Sequence, residues 1–84
     1  MVISLSEKII SYVLVVVSIG KEFDVLNKIK DLPGITEAVV VYGEYDLVVR
    51  IEADNMKVID NVVTSIRNIP SVLRTVTLIG YVKQ

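Results

Sequence analysis

Two carboxylates, two phenols and a glycine fall within five consecutive residues, Tyr42-Gly43-Glu44-Tyr45-Asp46, in a chain with no comparable polar cluster elsewhere. A turn of this kind can offer free backbone N–H groups to a carboxylate, and Asp46 or Glu44 can receive an ammonium group, so the segment suits a zwitterion. The same residues suit plain turn chemistry. Gly43 is what a two-residue hairpin asks for at its first central position, and Asp46 can serve only to hydrogen-bond the loop backbone. Thr75 and Thr77 stand at alternate positions of an apolar stretch, where their hydroxyls point the same way and can extend a polar lining; threonine is also simply a good strand former.

Catalysis finds little to work with. The chain has no histidine and no cysteine, so general acid–base or nucleophilic work falls to Asp46, Glu44, a tyrosine or a lysine, none with an evident partner. Gly43 is a single glycine, and neither a dinucleotide-binding glycine motif nor a phosphate-loop lysine occurs. Asp54 and Asp60 lie before or on a helix, where caps and solvated faces are commoner than metal ligands. No catalytic residue, metal or cofactor is expected.

With 84 residues the chain is one domain, and a domain this small buries only about 60% of its unfolded surface. Without disulfides or thiolate sites, association is the remaining source of stability. Nine basic against ten acidic residues leave a net charge of −1, which gathers no polyanion, so nucleic acid is not expected as a direct partner. Met1 to Lys8 lacks the layout of a signal peptide, and the apolar run Ile9 to Ile19 is shorter than the ~20 residues a spanning helix needs. A cytoplasmic protein with no membrane contact is expected.

The elements that must position the turn follow from a near-repeat. Leu32-Pro33-Gly34-Ile35-Thr36-Glu37-Ala38-Val39 aligns with Ile69-Pro70-Ser71-Val72-Leu73-Arg74-Thr75-Val76, and the same shift superposes Val25, Leu26 and Ile29 on Val62, Val63 and Ile66. Each copy is a helix stop followed by a strand. Two βαβ halves in series give βαββαβ, an α+β ferredoxin-like fold with one four-stranded antiparallel sheet and two helices on one face. Ile59, Val62, Val63 and Ile66 form one helical stripe behind a cap at Asp54 or Asn55. In the weaker first helix, Phe23 with Leu26 and Val25 with Ile29 make the buried side, Lys21, Lys28 and Lys30 face water, and Pro33 ends it. Strands are expected near 10–18, 36–42, 45–52 and 72–82, and helices near 21–31 and 55–68.

A sheet covered on one face should alternate apolar and polar residues, yet Val13 to Val17 and Val39 to Tyr42 run without a charged residue. Mean hydropathy is +0.60. Both faces of these strands therefore read as buried. The economical cover for the second face is another copy packed sheet to sheet about a two-fold axis, with Arg50, Glu52, Arg74, Thr75 and Thr77 toward rims or sites.

Leu32-Pro33-Gly34-Ile35, Gly43-Glu44-Tyr45-Asp46-Leu47, and Ile69-Pro70-Ser71-Val72 followed by Arg74-Thr75-Val76-Thr77 resemble the effector-binding RAM domain of the leucine-responsive regulatory protein/AsnC (Lrp/AsnC) transcription regulators, over roughly residues 10 to 82. The resemblance implies the βαββαβ fold, dimers through the sheet, rings of dimers, and amino acids bound beside the β2–β3 loop. It implies Gly43, Glu44, Tyr45 and Asp46 for that site, with Thr75 and Thr77 as weaker members. Only a few residues precede the first strand, leaving no room for a helix-turn-helix. The expectation is thus an N-terminal segment over 1–9 and a stand-alone RAM-type domain over 10–84, joining full-length regulators of the family where such mixed assemblies form. Ser71 stands where the family often has glycine. The competing reading is a small dimeric α+β barrel enzyme of monooxygenase or isomerase type. The ACT regulatory domain shares the fold but fits the Gly-x-Tyr-Asp hairpin less well.

Overall fold

The computed structural model describes residues 7–83. Residues 1–6 of the expected N-terminal segment lie outside them. The order of elements is β1 (Glu7–Val17), α1 (Glu22–Ile29), β2 (Ile35–Val40), β3 (Leu47–Ala53), α2 (Met56–Arg67) and β4 (Val72–Lys83). The sheet runs β2-β3-β1-β4, every neighbouring pair antiparallel, which is the expected ferredoxin-like arrangement.

Alternation along the strands decides the core. Ile9, Val13, Val15 and Val17 of β1 and Leu47, Val49, Ile51 and Ala53 of β3 are buried, together with Val25 and Ile29 of α1 and Ile59, Val62 and Ile66 of α2. All lie on the helix-covered side. In α2 the apolar stripe is as expected, with Val63 half-buried, and Asn55 is the cap: its side-chain oxygen accepts the Val58 N–H at 3.2 Å. Asp54 instead accepts from Lys8 Nζ at 2.7 Å.

The first helix differs from expectation in one residue. Phe23 is 67% exposed, because Val25, Ile29 and half-buried Leu26 already fill the contact of a helix only eight residues long. Helix α1 also stops at Ile29, where Leu32 N–H turns back to the Ile29 carbonyl at 2.9 Å. Gly34 then takes φ +86°, and a β-carbon there would stand 3.3 Å from the Glu52 carbonyl oxygen; its own carbonyl accepts the Glu52 N–H at 2.9 Å. Glycine is needed here for both reasons.

The open face of the sheet carries an aliphatic row. Register places Val39 against Val48, Val48 against Leu14 and Leu14 against Val76. The next row holds Glu37, Arg50, Tyr12 and Leu78. Arg50 donates to Glu52 at 3.0 Å and to Thr36 Oγ1 at 2.7 Å. Lys8 and Arg50 are both held further toward the protonated form than usual, chiefly by their hydrogen bonds to Asp54 and to Glu52 respectively. Within one chain, Val39, Leu78 and Tyr12 stay 41%, 52% and 43% exposed.

One core position breaks the pattern. Ser11 is fully buried between Ile51 and Ile79, and its hydroxyl has no hydrogen-bond partner among the described residues. A buried unsatisfied hydroxyl costs about 1–3 kcal/mol. Ser11→Ala is therefore expected to raise the melting temperature by roughly 4–8 °C, the equivalent of about 1 kcal/mol in a domain of this size. A lowered melting temperature in a calorimetric scan would show that the hydroxyl stabilises the strand.

Candidate functional site

Gly43, Glu44, Tyr45 and Asp46 lie in the connection between β2 and β3. It is wider than a two-residue hairpin: the strands end at Val40 and resume at Leu47, and Val41 N–H bonds to the Asp46 carbonyl at 2.9 Å to close the loop. The reason is in Asp46, which is tied to β1 as well as to β2. Its N–H donates to the Val15 carbonyl at 2.8 Å, and its Oδ2 accepts the Val17 N–H at 2.8 Å. The carboxylate thus replaces a ladder partner at the end of the central strand. Gly43 has φ +132°, a conformation that favours glycine, with no atom within 4 Å of where a β-carbon would stand.

Beneath the turn lies a cleft of about 330 Å³ between Tyr42, Gly43 and Asp46 on one side and Glu22 and Phe23 on the other. Glu22 and Phe23 open α1, whose first turn has no side-chain cap: Lys21 occupies the cap position without a side-chain hydrogen bond. A helix start of this kind presents unsatisfied N–H groups and a partial positive charge. The cleft therefore sets the first turn of α1, which carries the carboxylates of Glu22 and Asp24, across from Asp46 of the turn. Phe23 and fully exposed Tyr42 add apolar walls. Sequence reasoning missed Glu22 and Phe23. The signal for them was Lys21 at the cap position, where Ser, Thr, Asp or Asn would ordinarily stand.

Thr75 and Thr77 do share one side of β4, as their spacing requires, but it is the helix-covered side, opposite Val15 and Val13. They line a different cleft, of about 470 Å³, with Val63 and Arg67 of α2 and with Arg74. Tyr45 stands between the two groups: the Arg74 guanidinium lies over its ring, 5.6 Å from the centroid. Glu44 is exposed and lines neither cleft. One chain thus brings Gly43 and Asp46 together with α1 and leaves the two threonines apart. Among the described residues no group of acids is placed to hold a metal ion, and no helix is long and apolar enough to cross a membrane.

Fold and cleft define a small α+β domain with a compact polar cleft beside the β2–β3 turn. The chain belongs to the Lrp/AsnC family, matching the Lrp/AsnC ligand binding domain over residues 12–81. It is 33% identical over 76 residues to the HTH-type transcriptional regulator FL11 of Pyrococcus horikoshii, an alignment that takes in 90% of this chain and 50% of that one. The chain spans about half the length of the curated relatives it matches. Among solved structures it is similar to the hypothetical protein PHS023 from Pyrococcus horikoshii, at 41% identity and a TM-score of 0.80, covering 86% of this chain and 88% of that one. It is also similar to TTHA0845 from Thermus thermophilus, at 32% identity and a TM-score of 0.82, with 86% and 91% covered. The domain is thus the ligand-binding part of a family of transcription regulators.

Proposed function

We propose that this chain binds a free amino acid in the cleft under the β2–β3 turn and couples its occupancy to assembly with further copies, as an effector module of transcription regulation in the cytoplasm. The observation that carries the reading is the cleft itself, which sets the uncapped start of α1 across from Asp46 of the turn. Backbone N–H groups of the uncapped first turn of α1 receive the ligand carboxylate, and the Asp46 oxygen not engaged by Val17, with Glu22 on the facing wall, receives the ammonium group. Phe23 and Tyr42 select among side chains. Glu44 and Tyr45, and Thr75 and Thr77 from a neighbouring copy, complete the lining where turns and β4 edges meet at a shared seam.

Assembly rests on the open sheet face, whose aliphatic row Val39, Val48, Leu14 and Val76 fits a second copy about a two-fold axis. Dimers then associate further into rings, among themselves or with full-length regulators of the family. A ligand shifts such an assembly only by its differential affinity for the two states. Within this domain α1 and α2 are separated in sequence by β2 and β3, so the described residues hold no two consecutive helices of the kind that read DNA. The enzymatic alternative has less behind it: the open face has no histidine or cysteine, and its charged row of Glu37 and Arg50 lies beside the aliphatic row Val39, Val48, Leu14 and Val76.

The test is a thermal-shift screen of the twenty amino acids. One or a few are expected to raise the melting temperature, since a ligand at a hundred times its dissociation constant adds about 2.7 kcal/mol. If none does at millimolar concentration, the amino-acid reading fails.

A further inference from the structure

We propose that Arg74 is a positioning residue for the ligand turn: stacked on Tyr45, it straps the β2–β3 turn to β4, and through this strap a copy seated on β4 orders Asp46. The strap is a contact within one chain, and its use in regulation rests on the amino-acid and assembly reading above.

Few hydrogen bonds hold the turn. Among the described residues they are those of Val41, which closes on the Asp46 carbonyl, and of Asp46, which grips Val15 and Val17 of β1. Tyr42, Gly43 and Glu44 between them are exposed. Tyr45 is different. It is half-buried, and the Arg74 guanidinium lies over its ring, 5.6 Å from the centroid, within the range of a cation–π contact. The sheet order β2-β3-β1-β4 puts β3 and β1 between β2 and β4. Consecutive residues of the turn therefore hold two different strands: Asp46 holds β1, and Tyr45 meets a side chain of β4 across it.

Strand β4 is shaped for this contact. Arg74 pairs with Val16 and Val72 with Val17, so Leu73 is an extra residue, a β-bulge in an otherwise regular pairing. Bulges bend a strand and re-aim the side chains beside them. Here the bulge comes immediately before Arg74 and leaves Leu73 65% exposed. The chain is anchored just upstream, where the Ser71 carbonyl accepts the Ser18 N–H at 2.9 Å. Arg74 forms no ion pair among the described residues, so the Tyr45 ring is its partner.

The same guanidinium reaches the surface that assembly uses. Arg74 lines the cleft of about 470 Å³ with Thr75 and Thr77, the side chains that a neighbouring copy brings to the seam. In the single chain Arg74 is exposed, and water weakens its attraction to the ring. A copy packed there removes that water, and a desolvated cation–π contact is stronger than an exposed one. Contact at β4 thus tightens Tyr45, and with it the adjacent Asp46, on the end of β1. A turn ordered in advance leaves less entropy for a bound amino acid to remove, so assembly and occupancy favour each other.

Amide hydrogen exchange of the full chain, with no amino acid present, tests the strap separately from the ligand. The reporters are Val17, whose N–H is bound by the Asp46 carboxylate, and Asp46, whose N–H is bound by the Val15 carbonyl. Arg74→Gln and Tyr45→Leu are each expected to speed both about two- to fivefold, the equivalent of an exposed cation–π contact, while the amides of α2 keep their wild-type rates. Tyr45→Phe keeps the ring and is expected to exchange as wild type, and Arg74→Gln combined with Tyr45→Leu no faster than either alone. At millimolar protein both reporters are expected to slow further in wild type and not in Arg74→Gln. The strap is overturned if Arg74→Gln leaves both rates unchanged, if Tyr45→Phe behaves as Tyr45→Leu, or if the two single effects add. Its link to assembly is overturned if light scattering shows wild type to associate while both rates stay constant. A chain that stays monomeric removes that link together with the assembly reading, and the variants then decide the strap alone.

Discussion

Asp46→Ala is expected to lower the melting temperature by roughly 5–15 °C, while Asp46→Asn leaves most of it in place. The difference follows from what Asp46 holds. Its carboxylate accepts the Val17 N–H at 2.8 Å, and Val17 is a buried residue at the end of the central strand. Alanine leaves that donor without an acceptor, which costs about 1–3 kcal/mol. Asparagine keeps an acceptor oxygen and loses only the charge. The pair of variants therefore separates two roles of one side chain. If Asp46 also receives a ligand's ammonium group, Asp46→Asn is expected to abolish the amino-acid-induced rise in melting temperature while the unliganded value stays near wild type. An Asp46→Ala protein as stable as wild type would show that the clip to β1 contributes nothing. An Asp46→Asn protein that responds to amino acids like wild type would remove Asp46 from recognition. Both readings come from differential scanning fluorimetry at one pH.

The architecture was legible because it is written twice. Pro33 and Pro70 mark equivalent helix stops in the two halves, and the stripe of Ile59, Val62 and Ile66 has the helical period that the structure buries. These are local signals, and local geometry fixes them. What could not be read depends on contacts distant in sequence. Gly43 satisfied the rule for a tight hairpin, but the loop is wider because Asp46 bonds to Val17, 29 residues away. Thr75 and Thr77 share a side, as their spacing says. Which side it is depends on β4 pairing with Val15 and Val13, and that register places them in the α2 trough instead of beside the turn. Phe23 and Leu26 have the spacing of a buried pair. The helix is too short to need both, and only its docking on the sheet shows that Phe23 is left to line the cleft.

Leu14→Glu is expected to convert a sheet-paired dimer into a monomer, raising its dissociation constant about a hundredfold or more. Leu14 is the third member of the row Val39, Val48, Leu14 and Val76, and sits on the central strand with neighbours on both sides. Among the described residues no helix covers this side of the sheet. A glutamate there keeps its solvent in the single chain but must be dehydrated when a second sheet packs on it, so the cost falls on association more than on folding. The exposed α2 position Asn61 supplies the control: Asn61→Glu adds the same charge and leaves assembly unchanged. Light scattering behind size exclusion reads the result, with circular dichroism to confirm that the variant is folded. If Leu14→Glu unfolds, Val39→Lys at the more exposed flank of the row tests the same surface. A wild-type monomer at micromolar concentration, or a Leu14→Glu dimer, overturns the two-faced sheet. The consequence reaches the ligand site, because the same strand that carries Leu14 ends at Val17 on the Asp46 carboxylate. If occupancy and pairing are coupled, the folded monomer should bind amino acids more weakly by the same factor by which the ligand tightens the assembly.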